Sequence, residues 1–157
     1  MPLNPVLDGC PVRGWVVVLT LSSSLGCGFV DTRVPIVYEV PEGFHGWVLV
    51  QRSKVSCAPE ELRDGKHVLA IPSDGRLCTS SDLEEGWAKD EYYFVGASRI
   101  AIKETGWGGG GHIWLQSNGI CGLPGQPEAH FEHFFVGTEA EAKVAPARPM
   151  PSECGPQ

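Results

Sequence analysis

The feature that most constrains this chain is how often short apolar runs are cut by turn residues. Tyr38-Glu-Val-Pro-Glu-Gly-Phe-His-Gly-Trp-Val-Leu-Val50 reads as strand, tight turn, strand. β-Branched residues fill Val34–Val40, Pro41 presets a turn φ, and Gly43 and Gly46 supply the positive φ that turns demand. A second module has the same form: Lys66–Ile71, a turn at Ser73-Asp-Gly75, then Arg76–Ser80 expected to pair back. Pro72 marks the end of its first strand. Glu91–Val95, Ser98–Lys103, His112–Gln116 and His130–Val136 are further runs, and Asn118-Gly119 is a strong turn signal. Ser53–Gly65 reads as a loop, and Ser81 with Glu84 as a one-turn capping box. No amphipathic helical period is present.

About eight short strands without a convincing helix predict an all-β fold, a small β-sandwich of transthyretin-like or carboxypeptidase-regulatory-like shape. The 20 Gly and 13 Pro agree, since together they are a fifth of the chain against roughly 12% in an average protein. The length, 157 residues, suits one domain. The spans read as a signal peptide over 1–26, a β domain over 27–138 and a disordered tail over 139–157, where Ala, Glu and Pro alternate without aromatics.

The leader rests on an uncharged stretch, Gly14–Leu25, that follows Arg13 and is too short to span a bilayer. Met1–Val12, with Asp8, Cys10 and three prolines, is atypical of a signal, which points to a later start codon. Gly26-Cys27 matches the end of a bacterial lipobox, so Cys27 is the candidate lipidation site, although Leu25 stands where a small residue is expected. The alternative is that Val16–Leu21 is a buried first strand. Removal of the leader would leave five cysteines, and with Cys27 carrying the lipid the other four, Cys57, Cys78, Cys121 and Cys154, allow three pairings that the sequence does not choose among. No C-x-x-C occurs among them, which argues against a zinc knuckle, and Cys154 in the tail is expected to be an exposed thiol or a tether.

Net charge −7 with scattered basic residues argues against nucleic-acid binding. The expected contact with a membrane is the lipid anchor at Cys27 alone. No cofactor is implied, and the partner is not identified.

Several groups are weighed for chemistry. His130 and His133 in Glu128-Ala-His-Phe-Glu-His133 would share a metal on a helix but point to opposite sides of a strand. Completed by His112 or Cys121, such a site would suit zinc. The plainer reading is solvated side chains beside a buried aromatic face. Trp107-Gly-Gly-Gly-Gly-His112 lacks the Lys-Ser/Thr of a phosphate loop, so Trp107, Gly109, His112 and Trp114 are instead candidate ligand contacts, the two indoles able to stack a flat ligand. The alternative is a loop between strands, with Trp114 in the core and Trp107 over a sheet edge. Glu42, Glu84, Glu85, Asp90 and Glu91 lie near turns, where solvated carboxylates are the default. No G-x-S-x-G is present, and Cys78 with His67 is the one thiol–imidazole pair considered.

The ordered motifs Val40-Pro-Glu-Gly-Phe-His-Gly-Trp-Val-Leu-Val50, Leu69-Ala-Ile-Pro-Ser-Asp-Gly-Arg-Leu-Cys-Thr79, Gly86–Val95 and Phe134-Phe-Val-Gly-Thr138 resemble a family of small bacterial secreted or lipoprotein-like domains of unknown function. The resemblance spans about Pro35–Lys143 and implies bacterial origin and an envelope location. It carries over no catalytic residue. The expected function is an exported envelope domain that binds or presents something without catalysis. The alternative is a small metal-dependent hydrolase using His112, His130 and His133.

Overall fold

The structure, a computed structural model, describes residues 32–105, 109–125 and 127–155. The proposed leader and Cys27 lie outside the described residues. Among the described residues nine strands form two facing sheets: β1 (Ile36–Pro41), β2 (Gly46–Arg52), β3 (Glu61–Arg63), β4 (Lys66–Ala70), β5 (Arg76–Cys78), β6 (Glu91–Val95), β7 (Arg99–Ala101), β8 (Ile113–Cys121) and β9 (Ala129–Val136). One sheet runs β3-β4-β1-β6-β7 and the other β5-β2-β9-β8. The β-sandwich is therefore as expected, with β3 added inside the segment read as a loop.

The core follows from alternation. Ile36, Tyr38 and Val40 of β1 face Val48 and Val50 of β2 and Phe134 and Val136 of β9 across the sandwich. Val40, Val48, Val50 and Val136 are fully buried, each stabilising the fold by about 1.5–3 kcal/mol relative to exposure.

Two connections differ from the local reading. β1 and β2 do not pair as a hairpin, because they lie in opposite sheets and Pro41–His45 forms an arch between the layers. Both strands point their β-branched residues inward, and only an arch lets those sets face each other across the core. Similarly, β5 does not pair back on β4 but joins β2 in parallel, with Leu49 opposite Arg76. The crossing is set by Gly75, whose φ is +73° and whose missing Cβ makes room for the carbonyl of Trp47.

Asn118-Gly119 is not a turn. It sits inside β8, opposite Glu132 and Phe131 of β9, because the Phe131 ring occupies the space above Gly119. Ser81 caps no helix, and its hydroxyl accepts from the Glu60 amide at 3.0 Å.

The C-terminal segment also departs from the disordered tail that composition predicts. Thr138 and Glu141 form a capping box on a short helix, α1 (Glu139–Lys143). The chain then crosses the outer face of the β2-β9-β8 layer. Trp47 Nε1 donates to Pro146 O at 2.9 Å, Gln51 Nε2 donates to Glu153 at 3.2 Å, and Lys54 pairs with Glu153. Cys154 is bonded to Cys121 at the end of β8, and Cys57 to Cys78. Cys154 is thus neither free nor exposed as a thiol. This strap explains why Leu49, Phe131, His133 and Phe135, which point away from the core, are buried. Polar composition predicts disorder only where nothing pins the chain, and here a cap, a buried Pro151 and a disulfide pin it.

Candidate functional site

The sequence-predicted residues do not converge. On β9, His130 and His133 fall on opposite faces. His130 lies on the inner side opposite Arg52, and His133 on the outer side opposite Leu49. His133 is 4% exposed, packed 5.5 Å from the Trp47 ring centroid and stacked 5.8 Å from that of Phe131. Neither of its ring nitrogens has a partner among the described residues. Burial, followed by the charge of Arg148, holds His133 below the ordinary histidine value. His112 precedes Ile113, which pairs with Val136, so it stands about 20 Å along the sheet from His130 at a strand rise of about 3.3 Å. Among the described residues no group of three metal-ligating side chains gathers, so the hydrolase built on His112, His130 and His133 lacks its metal site. Trp114 partly buries its indole on the outer face and donates Nε1 to Gly137 O at 3.0 Å. Gly109 is in the left-handed region at φ +71°. Trp107 lies outside the described residues. Cys78 is in a disulfide and unavailable as a thiolate.

The polar chemistry of the domain gathers instead where the two layers part. There the start of β1 and β6 faces the β8–β9 end, enclosing a cleft of about 700 Å3. Its floor is aromatic. Tyr38 and Tyr92, neighbours in register on β1 and β6, stack at 4.8 Å and 7°, with Phe134 edge-on to Tyr38 at 5.1 Å. Burial, foremost, drives both tyrosine hydroxyls above their ordinary value, so both remain protonated donors.

A charged chain runs from this floor into the core. Arg52, 1% exposed, ends the inward series Val48, Val50, Arg52 on β2. One of its nitrogens donates to Glu132 Oε1 at 2.8 Å and another to Glu60. Tyr38 Oη donates to the same Glu132 oxygen at 3.1 Å. His67 Nδ1 lies 3.0 Å from Glu60, without the alignment of a hydrogen bond. Burial by itself would lower Arg52, but the carboxylates of Glu132 and Glu60 outweigh it and hold the guanidinium charged. Burial raises Glu132, and its pairing with Arg52 only partly opposes this. The Arg52 and Tyr38 donors on Oε1 offset part of the cost of taking this carboxyl out of water.

The mouth has its own clamp. Arg33 binds Asp90 through two nitrogens, at 2.9 and 2.5 Å, and Asp90 also accepts from the Ile36 amide at 2.9 Å. The Asp90 contact raises Arg33. Glu84 and Glu85 line the rim. Opposite them, a bulge at Leu115, with φ +54°, shifts the register of β8 and inverts its parity. Ile113 and Gln116 therefore both face inward, and Gln116 Nε2 donates to Tyr92 Oη at 2.6 Å.

Reading by residue type misses Arg52, Glu132, Tyr38 and Tyr92, and takes Asp90 for a solvated turn residue. One signal was available. Arg52 and Glu132 occupy core-facing positions in otherwise apolar alternation, and two opposite charges at such positions on different strands predict a buried pair.

No helix among the described residues is long and apolar enough to cross a membrane. No curated protein matches the chain. Among solved structures, the chain is similar to a 2.75 Å crystal structure named "Putative Lipoprotein from Bacillus anthracis", at 22% identity and TM-score 0.58, covering 75% of this chain and 81% of that one. At that identity the likeness concerns the fold. A family model matches residues 32–144, and the chain belongs to the family of unknown function DUF6843.

Proposed function

We propose that this protein is an exported, envelope-associated domain, held by lipid at Cys27, whose intersheet cleft binds a small ligand without chemical conversion. The observation that carries the binding role is Glu132. A sandwich of this size gains most by closing its two layers on apolar side chains. Here the layers part over a carboxylate that burial disfavours, held by Arg52 and Tyr38. Keeping such a group costs stability, and a ligand contact is what offsets it. The cleft is within the range of small-molecule sites. The envelope role is supported by the uncharged stretch ending at Gly26-Cys27 and by the name of the similar structure.

Two measurements test this. Expression of the full chain in a Bacillus host, followed by intact-mass analysis of the membrane fraction, is expected to show a chain starting at Cys27 with a diacylglyceryl adduct. A soluble cytoplasmic product retaining Met1 would overturn the envelope role. Placing Trp at Ile120 on the cleft wall is expected to abolish binding of any cleft ligand while leaving the fold intact. Undiminished binding would place the ligand elsewhere.

A further inference from the structure

We infer that the cleft takes a small cationic amine. This rests on the binding role proposed above and concerns the open valences of the groups that line it.

Four carboxylates line the cleft, Glu84, Glu85, Asp90 and Glu132, with one guanidinium, Arg33, and two histidines, His130 and His133. That guanidinium is already engaged, with two nitrogens on Asp90 and one also on Val34 O at 3.0 Å. Arg52, behind the floor, is committed to Glu60 and Glu132. An anion would therefore meet four carboxylates and, among the described residues lining the cleft, no uncommitted guanidinium or ammonium. At the floor, both hydrogen bonds to Glu132 fall on Oε1, and among the described residues no donor reaches Oε2. Tyr92 is 5% exposed, and its oxygen accepts from Gln116 while its own proton has no acceptor among the described residues.

Asp90 is engaged, and Glu84 Oε2 accepts from the Val34 amide at 3.3 Å, so the open positions are mainly acceptors, at Glu85 and the other Glu84 oxygen on the rim and at Glu132 Oε2 on the floor, with one buried hydroxyl donor beside them. An ammonium group has three donors and no acceptor. It would bind Glu132 Oε2 and the rim carboxylates, and a hydroxyl or carbonyl on its carrier would accept from Tyr92. Charge pairing also strengthens where water is partly excluded. Burial raises Glu132, and such a cation would oppose that shift by favouring the carboxylate. A neutral polyol would fill the hydrogen bonds but gain nothing from the charge.

The test is calorimetric titration of the full chain with three probes of equal length: 1,5-diaminopentane, 1,5-pentanediol and glutarate. The diamine is expected to bind about tenfold or more tightly than either of the others. Glu84→Gln with Glu85→Gln, exposed positions that leave the core untouched, is expected to weaken it several-fold. Glu132→Gln is expected to weaken it by about tenfold or more, with the fold checked by circular dichroism. Equal binding of diamine and diol, both blocked by Ile120→Trp, overturns the amine and leaves the cleft as a ligand site. Preference for glutarate also overturns it. Absence of binding by all three overturns it, while the mass and fractionation test above still stands or falls separately. Vesicles of phosphatidylethanolamine, compared with phosphatidylglycerol, separate the two sources of the amine. Glu132-dependent binding to the former assigns a lipid headgroup, and binding of the diamine alone assigns a soluble amine. Either supports the inference.

Discussion

The ring of Phe131 on β9 lies over Gly119 on β8, 2.9 Å from where a Cβ on Gly119 would stand. The two residues are register partners on the outer face, beneath the strap. Gly119→Val is therefore expected to push the ring into the strap and cost about 1–3 kcal/mol, the usual penalty of overpacking. Urea denaturation measures it, and an unchanged midpoint would show that the ring has room to move.

Gly75 and Gly46 separate two causes of glycine requirement. At Gly46 φ is +137° and the nearest atom to an added Cβ is 4.0 Å away, so Gly46→Val faces backbone strain alone, about 1–3 kcal/mol. At Gly75 a Cβ would meet the Trp47 carbonyl as well as carry a φ of +73°. Gly75→Ala is expected to cost more than Gly46→Val despite its smaller side chain. The reverse order of melting temperatures would mean that the β4–β5 crossing is free to shift.

Arg52 stands between two carboxylates with 1% exposure. Arg52→Met leaves Glu60 and Glu132 buried without their cation and is expected to cost about 3–5 kcal/mol. Replacing all three by apolar residues is expected to recover most of that loss. If the triple variant is as unstable as the single one, volume rather than charge controls this corner.

His133 gives the protein an acid-sensitive limb. Burial and Arg148 hold its folded pKa below the unfolded value of 6.5. The unfolded chain therefore binds more protons there, so the contribution is complete above 6.5 and is lost as pH falls through the folded value. Glu132 acts in the opposite sense, because its raised folded value means a contribution lost as pH rises through it. His133→Phe is expected to flatten the fall in melting temperature between pH 7 and 5. An unaltered slope would assign that limb to other groups.

Local signals placed most strands because β-branched runs bounded by Gly and Pro have few alternatives. Thr138-Glu-Ala-Glu141 carried the capping-box pattern of α1 in plain view, yet the surrounding Ala, Glu and Pro composition argued for disorder. Asn118-Gly119 misled in the other direction. That dipeptide is a turn signal for a chain in isolation, whereas here the glycine is required by a ring on another strand. The histidines were legible as residues but not as a site. Strand parity alone separates His130 from His133, and the choice of strand over helix decides whether they meet.

The sequence by itself determined the all-β class, the sandwich and the family, because alternation and turn chemistry act over a few residues and survive whatever the partners are. Tertiary structure alone decided three things: the layer each strand joins, the strap stapled by Cys121–Cys154, and the cleft where Glu132, Tyr38 and Arg52 meet. Each depends on contacts between residues far apart in the chain. Their energies come from desolvation and charge pairing that exist only once the two layers have come together.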